Sequence, residues 1–585
     1  MSKKNLPVDS ASTKRHSLAH LLALAVIEKY PHAQLAIGPA IDTGFYYDID
    51  FGETKIVEAD LKELEKRMVH LVKQNLSFTR SEKNIEAALA EAQEEKHPYK
   101  EELIADLKSA GETTVSFYSV GEFTDLCRGP HVANTKEIAA GSFKLEKLAG
   151  AYWRGDEKNR MLTRIYGLAF NTKQELDDYL TMQAEAEKRD HRKLGKELDL
   201  FMNHEVAPGM PFFLPKGMIL LQELTKFIRT FSYGEGYQEV RTPQLLNAEL
   251  WKISGHWDHY QEDMFCLHHA EDNIDIGVKP MNCPAHMLVF KRDLHSYRDL
   301  PLRLAETSTL YRNEKSGTLH GLTRVRSLSQ DDCHIFARPE QILEEIAELL
   351  AKVKNIYTIF DLKIDEIHLS TRPEKFLGEK EVWDEAEADL KQALENAKLD
   401  YKINEGDGAF YGPKIDVKVK DAIGRQWQLA TVQLDFQLPQ RFELKYTDAD
   451  GSAKTPVVIH RALLGSIERF LGVIIEHYAG AFPAWLSPVQ VKIVSVSSAH
   501  LSYCQQLETE LRAQGIRVEV DDSNETVGNK IRKAVNEKVP YMLVIGDKEV
   551  GSAVLAVRDR GQREAREINK DEFIAELQEK IEHYQ

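Results

Sequence analysis

Apolar residues recur at helical spacing in several parts of the chain. Over residues 16–30, Leu18, Leu21, Leu22 and Ala25 predict a helix that stops at Pro31, because the residue before a proline avoids the helical region. Residues 59–74 predict a second amphipathic helix, and residues 114–164 a strand-rich stretch whose turns include CRGPH and AYWRGD. The charged stretch 175–200, which contains KRDHRKLGK, reads as mostly helical and as a linker. Residues 1–12 read as a tail.

A new domain is expected from Pro208. Leu220, Leu224, Phe227, Ile228 and Phe231 form one apolar face over 216–232, a glycine break follows at 234–236, and residues 237–242 read as a strand leading to Pro243. Between 302 and 336 the pattern gives a strand, a polar loop at 316–321 and a returning strand. Residues 430–436 alternate as a strand, and a strand at 456–459 is expected to enter an amphipathic helix over 460–478. Thereafter strands at 489–496, 516–520 and 541–545 alternate with helices at 501–514 and 526–537. That order predicts a small α/β domain with a largely parallel sheet.

Composition narrows the class. The chain has 585 residues, 42% hydrophobic and 29% charged, which excludes overall disorder and gives a prior of about four domains. The longest clean apolar run, 21–27, is far short of the roughly 20 residues of a membrane span, and the polar start carries no apolar signal core. Five cysteines are too few for a disulfide scaffold, so a reducing cytoplasm is expected. A net charge of −17 excludes a protein basic all over but not a local basic face for nucleic acid.

The chain contains neither G-x-x-x-x-G-K-[ST] nor G-x-G-x-x-G after a strand, so a nucleotide would have to be held by arginine, whose planar fork matches phosphate oxygens. The segment YRNEKSGTLHGLTRVRSLSQDDCHIF (311–336) supplies such residues. Arg312 and Glu314 are expected on one face of a strand, and Arg324 and Arg326 on one face of its return. This arrangement also fits a plain cross-strand ion pair. Gln330, Asp331, Asp332 and His334 follow, a density of polar groups that is costly on core strands unless they bind something. Arg469 follows small Gly465 and Ser466, which permit close approach of a flat ligand. Cys283, His334 and His460 each sit where a strand or helix is expected to end. Such a set would leave one Zn²⁺ position open, although the spacing is no ligand signature. In HSLAH, His16 and His20 share a helix face, and Cys127 and His131 flank a Gly-Pro turn in CRGPH. Together they suit metal binding or proton transfer.

Taken together, RHSLAHLLALAVI, IGPAIDTGFYYD, DLCRGPHV, AYWRGDEKNRMLTRIYG, KRDHRKLGKELDLF, KPMNCPAHM, YRNEKSGTLHGLTRVRSLSQDDCHIF, GAFYGPKID, TVQLDF, PVVIHRALLGSIERF and VPYMLVIGDKEV, in this order, resemble the threonyl-tRNA synthetases, class II aminoacyl-tRNA synthetases. The resemblance spans about residues 13–585 and implies an α+β multidomain protein. Its parts would be an antiparallel class II sheet with flanking helices, an N-terminal α+β editing domain and a C-terminal α/β anticodon-binding domain. The implied bounds are a tail 1–12, editing 13–185, a helical linker 186–207, catalysis 208–487 and anticodon binding 488–585.

The implied reaction is attack of threonine on the α-phosphate of Mg-ATP, then transfer to the 3′ end of tRNA(Thr). Arg312 would bind the α-phosphate, Glu314 read the adenine amino edge, Arg324 contact phosphate, and Arg469 stack on adenine and reach the γ-phosphate. Gln428 and Lys414 would line the ATP and adenylate pocket. Asp332, Tyr411 and Gln433 would contact threonine, and Cys283, His334 and His460 hold a zinc ion. Zinc that reads the hydroxyl rejects valine by about 10⁴ or more but serine, short of one methyl, only some 10–200-fold, so a hydrolytic editing site is expected. His16, His20, Cys127 and His131, with Tyr47, Lys100 and Asp125, match that site, and the resemblance implies editing without a metal. Asn524, Glu549 and Arg558 match anticodon-reading positions.

The helix before Pro243 resembles the family's dimer-forming motif, so a cytoplasmic homodimer is expected. Two departures stand out. Bacterial members begin with a small ubiquitin-like domain, whereas this sequence is expected to start at the editing domain. Leu328 also replaces an aromatic residue that stacks on adenine. A stand-alone deacylase and a non-catalytic RNA-binding regulator are the alternatives; intact Arg312, Arg469 and zinc positions speak against the first.

Overall fold

The computed structural model describes residues 10–233, 236–270 and 274–585, which fall into two compact units, 1–184 and 185–585. The expected tail lies outside the described residues as far as residue 9, and the expected glycine break at 234–236 lies outside them at 234–235.

The first unit is built around one helix, Ser10–Lys29. Every residue from Ser17 to Val26 is buried, as expected where apolar side chains occupy most of the helix circumference. Against it pack the antiparallel sheet Gln34–Leu35, Gly44–Asp50, Met161–Ala169, Phe143–Tyr152, in that spatial order, and the helix Glu58–Lys73. Leu18, Leu21 and Leu22 share a core with Phe45, Tyr47, Ile49, Leu64 and Met68. A second antiparallel sheet, Phe78–Asn84, Thr114–Val120, Phe123–Leu126, carries Asp125.

The second unit centres on an eight-stranded sheet in the order Tyr237–Glu239, Leu302–Glu306, Asp332–Ala337, Val457–Ala462, Gln426–Asp435, Lys414–Lys420, Lys363–Ser370, Lys402–Asn404. Its pairings are antiparallel except at the two edges. The helices Pro215–Tyr233, Ile342–Ile359, Lys380–Asn396 and Ile467–His477 supply most of its core partners. The C-terminal sheet orders Val518–Asp521, Val491–Ser495, Tyr541–Ile545, Val554–Asp559 and Arg566–Asn569.

Several elements differ from expectation. The tail ends earlier, since the first helix begins at Ser10. The linker helix breaks at Asp190, whose carboxylate caps a new helix, His191–Glu197, by accepting from Arg192 N; short strands at Phe201–Met202 and Phe212–Phe213 follow. His460 lies on a strand, not a helix: VVIHRA is buried throughout, and the helix starts only after Gly465 (φ +77°) and the N-cap Ser466. His334 is likewise mid-strand, while Cys283 opens the helix Cys283–Lys291. Arg312, Glu314, Arg324 and Arg326 lie beyond the strands Thr309–Tyr311 and Ser327–Ser329, because Asn313 N leaves the ladder for Asp263 O. The C-terminal sheet is parallel only across its first three strands.

Candidate functional site

Strand register assembles the site of the second unit. His334 pairs with His460, His460 with Gln433, and Gln433 with Lys414, so four strands place four polar side chains in one row. Strands about 4.8 Å apart make that row some 14 Å long. Asp332 lies two residues before His334 and hence on the same face. These residues line a cleft of about 370 Å³ together with Cys283, Arg312, Tyr411 and Gln428.

One end of the row is a buried donor cluster. Ligand atoms of Cys283, His334 and His460 lie within 4.8 Å of one another. The His460 Nε2 is 2.9 Å from Asp435 Oδ2, and the His334 Nδ1 is 2.9 Å from His286 Nδ1, whose ring reaches Glu306 at 3.1 Å. Each ligand-set imidazole therefore has one nitrogen engaged and one left over for a metal, the outer-shell pattern of metal-binding histidines. Burial pushes the Cys283 thiol well above its ordinary pKa and holds His334 well below, so these side chains carry no cation of their own to balance a thiolate. The residues fit a zinc ion with an open position. Sequence reasoning missed Asp435, His286 and Glu306, although His286 sits one turn past Cys283 in KPMNCPAHM.

Beside the cluster, Asn282 Nδ2 donates to Asp332 Oδ2 at 2.9 Å, and the Tyr411 hydroxyl donates to Gln433 Oε1 at 2.8 Å. At the far end Lys414 Nζ pairs with buried Asp416 at 2.9 Å and with Asp407 at 3.3 Å. Buried Asp331 collects the N–H groups of Leu463, Leu464 and Gly465 and pairs with Arg461. Burial still pushes its carboxyl up to about 6. That ties the turn before Arg469 to the central strand. Glu314 and Arg324 form an ion pair at 2.8 Å, the plain pairing that the sequence also allowed. Arg469, in the first turn of Ile467–His477, has its pKa lowered by desolvation and by the like charge of Arg324. Leu328 is buried with Leu310 and Val325.

In the first unit, His16, His20, Cys127 and His131 converge, with ligand atoms within 4.8 Å of one another. Cys127 Sγ is 3.2 Å from both His16 Nε2 and His131 Nε2, and His131 stacks on Phe78. Burial lowers His20 to about 3 and His131 to about 2 and raises Cys127 to about 12, so the cluster is neutral. Beyond it, Lys100 pairs with Asp125 at 2.5 Å, and Tyr47 donates to the same carboxylate. Burial opposes the Asp125 charge, but the Lys100 cation and the Tyr47 hydroxyl hold its carboxyl below the usual range. His16, His20, Lys100, Asp125 and Cys127 line a cleft of about 810 Å³ whose walls add Arg80 and Arg128.

Asn524 is exposed in the loop after Val518–Asp521, Glu549 accepts from Gly546 N at 2.9 Å, and half-buried Arg558 pairs with Met542 across the sheet.

Known proteins match most of the chain. Residues 115–166 match the threonyl and alanyl tRNA synthetase second additional domain, residues 265–478 the tRNA synthetase class II core domain (G, H, P, S and T), and residues 490–580 an anticodon binding domain. The threonine–tRNA ligase of Clostridium acetobutylicum is 51% identical over 577 residues, covering 98% of this chain and 89% of that protein. That of Acetivibrio thermocellus is 52% identical over 567 residues, covering 97% and 88%. A crystal structure of the RNA binding domain of threonyl-tRNA synthetase from Cryptosporidium parvum superposes with a TM-score of 0.65 at 44% identity, covering 67% of this chain and 98% of that one. With an editing-type cleft, a class II sheet carrying a Cys-His-His cluster, and an anticodon-type α/β fold in one sequence, the chain belongs to the threonine–tRNA ligase family.

Proposed function

We propose that the chain activates threonine with ATP at the row His334–His460–Gln433–Lys414, charges tRNA(Thr), and clears Ser-tRNA(Thr) in the cleft of the first unit. The register that aligns these four residues beside Cys283 carries the reading. Cys283, His334 and His460 would hold a zinc ion, which when bound would supply a positive anchor for the amino group and hydroxyl of threonine. Asp332, Tyr411 and Gln433 orient the amino acid so that its carboxylate points along the row toward Lys414 and Arg312.

Arg312 and Lys414 then neutralise the α-phosphate as the carboxylate attacks it and the α–β phosphoanhydride breaks to release pyrophosphate, a task of positioning and charge that needs no proton transfer. Gln428, Arg324 and Arg469 hold the nucleotide, with Mg²⁺ entering on ATP. For Glu314 to read the adenine edge, its pair with Arg324 must open, which frees that guanidinium for phosphate. In the editing cleft the neutral imidazoles of His16, His20 and His131 and the Lys100–Asp125 pair position the ester and a water. Asn524, Glu549 and Arg558 read the anticodon. The corresponding regions are 13–185, 186–207, 208–487 and 488–585.

A homodimer and a cytoplasmic setting complete the proposal. Leu245 and Leu267 pair with Val278 and Ile276, two apart on one strand, so they share a face with Ile274; the three are 56%, 52% and 37% exposed. Such an apolar face calls for a partner, and sedimentation of the chain as a dimer is expected. All five cysteines are free, and among the described residues no helix is long and apolar enough to cross a membrane.

The decisive experiment is amino-acid-dependent pyrophosphate exchange into ATP. Threonine is expected to drive it, serine about 10–200-fold less well and valine about 10⁴-fold less well. Equal exchange with valine would overturn the hydroxyl-reading site.

A further inference from the structure

A third group of metal-capable side chains, Asp190, His191 and Glu476, lies outside the sites above. It is not an open ligand set, because both ring nitrogens of His191 are already used. The Nδ1 is 2.6 Å from Glu476 Oε1, and the Nε2 accepts from Leu322 N at 2.9 Å. A nitrogen that accepts from an N–H carries no proton, so Nδ1 carries it and donates to the Glu476 carboxylate. Glu476 also accepts from His191 N at 3.0 Å and pairs with Arg425, which Asp421 holds at 2.8 Å. His191 is fully buried, Glu476 nearly so.

The recipient of this contact is the middle of the loop that bears Arg312, Glu314 and Arg324. Residues 320–324 form a tight turn, with Thr323 N and Arg324 N both donating to His320 O. Gly321 (φ +49°) lies directly on the imidazole: a Cβ there would stand 2.0 Å from His191 Nε2. Gly472, on the helix of Arg469, faces the same place, where a Cβ would meet Thr323 at 3.1 Å and Leu322 at 3.3 Å. One imidazole from the connector thus joins the loop turn to the helix Ile467–His477.

We infer that His191 is a positioning residue for ATP, whose unprotonated Nε2 fixes the loop 312–326 against the helix of Arg469 by holding the Leu322 amide. The inference rests on the reading of that loop as the ATP-binding one. Loss of the contact removes the tie at the middle of the loop and leaves those near its ends, where Asn313 N donates to Asp263 O and Arg326 N to Gly209 O. Because Leu322 N–H is buried, its lost acceptor is not replaced by water.

Two half-mimics separate positioning from plain support of the fold. His191→Gln can bring an amide oxygen to the place of Nε2, whereas His191→Asn reaches only the place of Nδ1. In threonine-dependent pyrophosphate exchange, His191→Ala and His191→Asn are expected to raise the KM for ATP about tenfold, with kcat and the KM for threonine changed by no more than about twofold. His191→Gln is expected to restore most of the ATP affinity. Asn and Gln variants that behave alike, or an alanine variant with unchanged KM for ATP, would overturn the inference. Arg312→Ala is run beside them: if it leaves exchange intact, the ATP reading of the loop fails; if it abolishes exchange while His191→Ala changes nothing, only the role of His191 fails.

Discussion

Asp435 holds Nε2 of His460 at 2.9 Å, which leaves Nδ1 as the ring nitrogen available to a metal. The carboxylate therefore sets which atom of His460 can meet a metal. Asp435→Ala is expected to weaken zinc retention about 10–100-fold in chelator competition while the three donors stay in place. Zinc affinity equal to the parent's would remove Asp435 from this role.

Cys283 is the one thiol in the cluster. Cys283→Ala is expected to lower zinc content and threonine activation together, as measured by metal analysis and pyrophosphate exchange. Full zinc content in this variant would break the ligand assignment.

In the editing cleft His20 is buried, and its Nδ1 has no hydrogen-bond partner. His20→Ala is expected to let Ser-tRNA(Thr) accumulate while activation of threonine stays normal. Hydrolysis at the parental rate would place editing elsewhere.

The same cluster makes stability pH-dependent. Burial lowers His20 to about 3 and His131 to about 2, while in the unfolded chain both titrate near 6.5. Below that value the unfolded chain binds protons that the folded one does not, so stability is full above about 6.5 and falls with pH at roughly 1.4 kcal/mol per pH unit for each ring. Thermal unfolding followed from pH 8 to pH 5 should show this loss, and His20→Asn should flatten it. A slope unchanged in that variant would contradict a neutral buried His20.

Arg558→Ala is expected to raise the KM for tRNA about 5–150-fold, by about 1–3 kcal/mol of lost contact, without affecting adenylate formation. Equal loss of both would point to a folding defect.

Much of the site was legible because its residues sit in unbroken strings. HSLAH and CRGPH name four residues that do meet, and the row partners Lys414 and Gln433 fall in GAFYGPKID and TVQLDF. What periodicity could not give was partnership across distance. His334 and His460 are opposite one another only because two strands 126 positions apart pair, and a fully buried strand such as VVIHRA has no alternation to distinguish it from a helix. The outer partners Asp435, His286 and Asp416 were invisible for the same reason. Glu314 was assigned by resemblance alone, and its pairing with Arg324 follows from where the loop turns, not from a strand face.

The cross-strand row also bears on how this protein can vary. Side chains alternate between faces, so inserting or deleting a single residue within Asp332–Ala337, Val457–Ala462, Gln426–Asp435 or Lys414–Lys420 turns half of the pocket toward the opposite layer of helices. Length changes are therefore confined to the connections, such as the exposed turn at Asp448–Gly451, while the strands tolerate only replacement in place.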